Sequence, residues 1–264
     1  IVFGDWSSDV CSSDLAGCDP VLWMSGRSWF EAGKPIRGGV PVCFPWFGPS
    51  DHAPGAPGHG VVRLAAWAVE SVVRLGDGSV TARLMFETSE ATRALWAGDF
   101  RVWMDVTFGR TLTMGLTAEN TGKAPSTYSE ALHSYLAVSD VRDVWITGLE
   151  GVGYKDKMAG GAMVGPAGEA YRFKGETDRV YLDTADACVL HDPGKGRRIV
   201  VSKSGSLSTV VWNPWVAKSA AMPDFGDDEW PGMVCIETVN MGPNAITLEP
   251  RERHTMTALI SVEG

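Results

Sequence analysis

Apolar and polar residues alternate with a period of two along much of the chain. Val80, Ala82, Leu84 and Phe86 interleave with Thr81, Arg83, Met85 and Glu87. Phe100, Val102, Met104, Val106 and Phe108 interleave with Arg101, Trp103, Asp105 and Thr107. After Gly109-Arg110 the alternation resumes through Leu112, Met114, Leu116 and Ala118. Neighbouring side chains of a strand point to opposite faces, so each run predicts a strand with one apolar face. Two such runs joined by a Gly-X pair predict a β-hairpin. Toward the C-terminus, Ile246 and Leu248 precede a turn over residues 250–253, and Thr255, Thr257 and Leu259 then alternate with Met256, Ala258 and Ile260.

Helical signals are few. Residues 89–96 (SEATRALW), with Ser89 as a cap, predict one short connector. Strand–helix–strand alternation is not sustained, which disfavours a doubly wound α/β fold. Many strands with one apolar face each predict an all-β protein, a single large antiparallel β-sandwich spanning residues 16–264. Two segments break the alternation: residues 47–60 (FGPSDHAPGAPGHG) and the glycine-rich residues 151–175, which carry Lys155, Asp156 and Lys157. Both are expected to be long loops bordering a site.

Composition narrows the function classes. The 32 acidic residues outnumber the 23 basic ones and give a formal charge of -9, so nucleic acid is not an expected partner. The longest apolar run, residues 64–69, is far short of the roughly 20 residues of a membrane helix. The cysteines are Cys11, Cys18, Cys43, Cys188 and Cys235, an odd number with no C-x-x-C spacing. Neither a disulfide framework nor a zinc site is indicated, and a reduced, cytoplasmic protein is expected. Residues 1–15 carry neither period. They resemble translated sequencing adapter and are expected to be non-native or disordered, with the natural chain starting near Ala16.

Walker A, G-x-G-x-x-G after a strand, H-E-x-x-H and G-x-S-x-G are all missing from the sequence. The candidate chemistry therefore falls to histidines, carboxylates and arginines. His133 shares a strand face with Ala131, Tyr135 and Ala137. It is either a hydrogen-bonded core histidine or a general acid able to exchange a proton near neutral pH. Glu237, with face-mates Met233 and Cys235, is either an outward glutamate on an edge strand or a partly desolvated base. Arg37-Gly38-Gly39 and the run from His59-Gly60 to Arg63 place arginines beside glycines. Each is either a solvated turn or a phosphate contact, with glycine admitting close backbone approach to a ligand. Residues 224–229 (DFGDDE) lack EF-hand spacing and read as a solvated loop able to border a sugar site. Trp46, Trp212 and Trp215 could stack on sugar faces.

Seven segments in order resemble the glucose-6-phosphate 1-epimerase family of the aldose 1-epimerase (galactose mutarotase-like) superfamily. They are residues 36–48 (IRGGVPVCFPWFG), 59–67 (HGVVRLAAW), 92–100 (TRALWAGDF), 130–141 (EALHSYLAVSDV), 177–181 (TDRVY), 211–215 (VWNPW) and 224–240 (DFGDDEWPGMVCIETVN). The resemblance implies a β-supersandwich. It implies interconversion of the α and β anomers of a hexose 6-phosphate with no cofactor and no metal. Glu237 would be the base and His133 the acid, acting on opposite sides of one hemiacetal. Arg37, Arg63, His59 and Asp178 would contact the sugar phosphate. The family often carries a polar residue before the His-Gly pair, where this chain has Gly58. It also usually has further N-terminal strands, whose loss would expose a sheet edge. The expected partner is the sugar alone, with the protein a monomer. The rival expectations are a mutarotase of unphosphorylated aldoses and a non-catalytic sugar-phosphate-binding module.

Overall fold

The computed structural model describes residues 19–50 and 53–264; the suspect segment 1–15 lies outside them, as do Cys11 and Cys18. In chain order the strands are β1 (Val42–Cys43), β2 (Ala68–Arg74), β3 (Val80–Glu87), β4 (Phe100–Phe108), β5 (Leu112–Asn120), β6 (Ser126–Tyr128), β7 (Glu130–Leu132), β8 (Tyr135–Ala137), β9 (Trp145–Thr147) and β10 (Tyr154–Asp156). There follow β11 (Ala162–Val164), β12 (Tyr171–Arg172), β13 (Thr177–Leu182), β14 (Cys188–Asp192), β15 (Arg197–Ser204), β16 (Ser208–Asn213), β17 (Met233–Asn240), β18 (Ile246–Leu248) and β19 (Arg253–Glu263). Among the described residues two short α-helices interrupt them, α1 (Glu90–Arg93) and α2 (Trp215–Ala221).

Two large antiparallel sheets result. One runs β12-β9-β14-β15-β19-β5-β4-β3-β2. The other runs β1-β7-β17-β16-β13-β10-β11, with β8 also paired to β17. A continuous cluster of buried apolar side chains takes in both, including Met104, Leu116, Met256 and Ile260 from the first and Leu132, Val210 and Ile236 from the second. The sandwich expected from alternation is therefore the observed architecture. The hairpin is present too: β4 and β5 pair with Phe108 opposite Leu112 across the Gly109-Arg110 turn. At α1, Ser89 accepts from the Thr92 N–H while the Thr92 hydroxyl accepts from the Ser89 N–H, a reciprocal cap that starts the helix where the sequence predicts it.

Residues 151–175 differ from expectation. They are not one loop but contain β10, β11 and β12, which extend both sheets. Each of these strands has three residues or fewer, too short for a period of two to show. The Asp156 side chain accepts from the Met158 N–H, and Gly160 turns the chain back with φ 68.

The strand break at His133 positions the site. β7 ends at Leu132, β8 begins at Tyr135, and both lie beside β17. β17 is an interior strand with β7 and β8 on one side and β16 on the other, and all eight of its residues are buried. The edge-strand alternative for Glu237 is thereby excluded. Asn240 packs toward His254 and Met256 of the opposing sheet. Alternation then turns Cys235 and Glu237 to the other face, away from the inter-sheet core.

Candidate active site

Glu237 and His133 meet on that outer face. His133 Nε2 lies 3.4 Å from Glu237 Oε1, and both side chains are buried. The His133 backbone N–H donates to Pro41 O at 3.0 Å, while its ring stacks on Tyr135 with centroids 4.7 Å apart. Trp212 meets the same ring edge-on at 6.0 Å. The imidazole is held by stacking, yet its Nδ1 has no hydrogen-bond partner, and neither does Glu237 Oε2. A histidine satisfied within the core would have both nitrogens paired. The two side chains sit side by side.

Burial pushes the Glu237 carboxyl well above its ordinary range, and the charge of Asp178 adds to the effect; Lys157 and Arg63 partly oppose it. Burial also holds the His133 imidazole well below its ordinary value, reinforced by His59, Arg63 and Arg37. Both shifts favour the uncharged forms.

His59 stands beside this pair, its ring 5.8 Å from that of His133. It occupies the left-handed region with φ 63 and is held there at both ends. Its N–H donates to Gly48 O at 2.7 Å, and its Nδ1 accepts from the Gly48 N–H at 3.3 Å. Burial, with Arg63, Lys157 and Arg37, lowers its pKa to about 3, so the ring is neutral. With Nδ1 accepting, the ring proton belongs on Nε2, which makes His59 a donor. The glycines beside the arginines admit close approach of the chain's own backbone. A Cβ at Gly60 would collide with the Phe44 carbonyl, and one at Gly38 with the Met24 backbone.

The two arginines differ in their commitments. Arg37 donates through Nε and Nη2 to the Asp224 carboxylate at 3.0–3.2 Å and through Nη1 to the Tyr135 hydroxyl at 3.1 Å. Arg63 donates through Nη2 to Gly58 O at 2.9 Å, while its buried Nε has no hydrogen-bond partner. Lys157 Nζ approaches Asp178 Oδ1 to 3.0 Å as an ion pair without hydrogen-bond alignment, and lies 5.5 Å from the centre of the Phe47 ring. All six residues singled out in the sequence thus fall in one neighbourhood.

The solvated-loop expectation for residues 224–229 holds at Asp227 and Asp228, which are exposed, and is corrected at Asp224 and Glu229. Asp224 is only 3% exposed and is locked to Arg37; Glu229 accepts from Ser25 and from the Gly226 N–H. A run of acids reads as solvated, but the arginine that neutralises Asp224 is 187 residues away in sequence. Tyr135, Lys157 and Asp224 complete the site beyond the residues assigned from sequence. The Phe225 beside Asp224, fully buried, was the available hint. His133, Cys235 and Glu237 also bring potential metal-ligating atoms within 4.8 Å of one another.

Comparison with known proteins shows the family. The model of the aldose 1-epimerase family matches residues 12–261. The chain belongs to the aldose 1-epimerase family. It is 36% identical to a protein of Salmonella typhimurium named "Putative glucose-6-phosphate 1-epimerase", over 93% of this chain and 81% of that one. It is 37% identical to an Escherichia coli protein of the same name, over 84% of this chain and 74% of that one. The crystal structure of a "putative mutarotase" from Salmonella typhimurium superposes with a TM-score of 0.86 at 33% identity, covering 93% of this chain and 81% of that one. A galactose mutarotase related enzyme from Lactobacillus acidophilus, 11% identical, shares the fold with a TM-score of 0.73 over 93% of this chain and 88% of that one. Membership of this epimerase family supports an isomerase acting on sugar anomers. No helix of the described residues is long and apolar enough to cross a membrane.

Proposed function

We propose that this aldose 1-epimerase family member interconverts the α and β anomers of a hexose 6-phosphate, with Glu237 as base and His133 as acid. The observation that carries the reading is the buried contact of 3.4 Å between two otherwise unpartnered proton carriers. The hydroxyl oxygen and ring oxygen of a hemiacetal are bonded to one carbon. An adjacent pair can therefore serve both. Proton transfer within the pair gives the working form, a carboxylate beside an imidazolium. Glu237 takes the proton of the anomeric hydroxyl as His133 protonates the ring oxygen. The ring opens, the aldehyde turns about C1–C2, and the transfers reverse on closing. Each proton-transfer group contributes about 10²–10⁴-fold.

Substrate choice rests on the cations. Arg37 is neutralised by Asp224, so its role is to fix the Tyr135 hydroxyl and, through the ring stack, His133. Arg63 has donor capacity to spare, and Lys157 is the more exposed partner of its ion pair. These two are the proposed handle for the 6-phosphate, with Asp178 and the His59 Nε2–H as contacts for sugar hydroxyls. Binding energy at the phosphate then orients C1 over the pair.

Anomer exchange measured by NMR on glucose 6-phosphate and on glucose tests this reading. The wild type should act on the phosphate ester with the higher kcat/KM. Arg63→Ala should lower that value roughly 10- to 100-fold for the ester, the span of one charge-assisted contact, and much less for glucose. Equal losses on both sugars would reject phosphate recognition by Arg63, and no exchange on either would reject the activity.

A further inference from the structure

The floor of the candidate site carries thiol chemistry that the epimerase reaction does not use. Cys235 lies two residues before Glu237 on β17, and both side chains are on the strand face that His133 meets. The sulfur, a carboxylate oxygen and an imidazole nitrogen lie within 4.8 Å of one another, and all three side chains are buried. His133 Nδ1 and Glu237 Oε2 are buried without hydrogen-bond partners, so neither group is saturated. We propose that His133, Cys235 and Glu237 form a binding site for a thiophilic divalent cation of the zinc type, and that the bound cation excludes the sugar.

The donor set argues for the class of ion. Imidazole, thiolate and carboxylate are each zinc ligands, and zinc takes them at about 2.0–2.3 Å in a tetrahedron. Calcium and magnesium prefer all-oxygen shells, so a thiol and an imidazole select against them. Three protein ligands leave a fourth position for water. Drawing the three atoms onto one ion shortens separations that are already small, and β17 fixes Cys235 and Glu237 on one face. The two anionic ligands balance the dication. Nearby Arg37 and Lys157 are already paired with Asp224 and Asp178, which leaves Arg63 as the opposing charge.

The proton balance is explicit. The Cys235 thiol and the Glu237 carboxyl each release a proton to solvent as bonds to the cation form, and His133 binds as the neutral ring. Burial keeps the Cys235 thiol protonated without a metal, with its pKa well above the ordinary value. A cation at 2.3 Å reverses that balance, because a coordinated thiol is deprotonated. Two protons leave per ion, so affinity should rise by up to about 100-fold per pH unit until one of the groups ionises unaided. The ligands include the proposed acid and base, so occupation and catalysis are mutually exclusive.

Binding is read directly, without turnover, so its failure is distinguishable from failure of the epimerase reading. The full chain, stripped with a chelator, is titrated with Zn²⁺ against a chromogenic chelator and separately with Co²⁺. We expect one ion per chain and a thiolate-to-cobalt charge-transfer band. Cys235→Ser should abolish the band and weaken zinc by more than the roughly 10- to 100-fold that outer-shell partners contribute. Cys43→Ser, which alters the neighbouring thiol 3.7 Å from His59 Nδ1, should keep the band. Saturating glucose 6-phosphate should weaken zinc binding. No charge-transfer band in the wild type would overturn the site without recourse to any variant. A band that survives Cys235→Ser would assign the sulfur elsewhere. Zinc affinity unchanged by glucose 6-phosphate at concentrations where NMR line broadening shows the sugar bound to the metal-free chain would overturn exclusion.

Discussion

Strands β5 and β17 are of similar length, and both lie inside antiparallel sheets, yet they are buried differently. Along β5, Leu112, Met114, Leu116 and Ala118 are buried while the residues between them are only half-buried. Along β17 every residue is buried, whichever face it points to. The nine-stranded sheet has one face toward the core and one toward water around β5. The sheet containing β17 has the core on one face and, on the other, the site closed over by the segments that carry Arg37, His59 and Asp224. Alternation in sequence is the trace of a one-sided sheet, and it fades where both faces are covered. Polar residues on a strand of the second kind have no water to satisfy them, so Glu237 must be paired or used.

The contrast can be broken by substitutions that separate rate from stability. Glu237→Gln, in the two-sided strand, should reduce anomer exchange by about 10²–10⁴-fold, the contribution of one proton-transfer group, with the circular dichroism spectrum unchanged. A rate near wild type would mean that burial of this carboxylate has no catalytic purpose. Leu116→Ala, in the one-sided strand, should do the reverse. It empties a fully buried position and should cost about 2–5 kcal/mol in denaturant unfolding, with the rate per folded molecule kept.

A smaller effect separates the two faces of the site sheet. Glu130, on β7, points between the sheets and accepts from Asn240 Nδ2 at 2.9 Å, with His254 Nε2 at 3.4 Å. Burial pushes its carboxyl up to about 8 from its ordinary value of 4.5. Between those values the folded protein keeps a proton that the unfolded chain releases, so stability falls as pH rises through the interval. Glu130→Gln removes this titration. Its unfolding free energy should decline less than that of the wild type from about pH 5 to about pH 8 in denaturant titrations, with an advantage of up to a few kcal/mol at the upper end. Parallel declines would place the titrating proton elsewhere. The smallest effect is expected on the wet face of the nine-stranded sheet. Arg83 and Asp105 form an exposed ion pair at 2.7 Å there, and Arg83→Ala should cost less than about 1 kcal/mol by the same unfolding measurement.

The same contrast explains what could be read in advance. The β4–β5 hairpin, β3 and the capped helix α1 were legible because their signals are local, a period of two or a side chain bonding three residues away. Of the site, His133, Glu237, Arg37, Arg63, His59 and Asp178 were legible through motif resemblance, and geometry assembles them. Lys157 was marked only as part of a loop bordering a site, because the flanking β10 and β11 are too short to show a period. Asp224 was misread because its partner Arg37 is remote in the chain. Gly38 and Gly60 were correctly marked as places of close approach, but what approaches is the protein's own backbone.

The amino-acid order alone determined the one-sided strands, the turns between them and the residue types from which a proton-transfer site could be built. These depend on side-chain polarity over a few neighbouring positions. Tertiary structure alone decided that Glu237 is interior, that it meets His133 side by side, and that Asp224 occupies Arg37 while Arg63 keeps donors free. Those outcomes depend on burial and on charges brought together from distant segments, and neither exists until the sheets have closed.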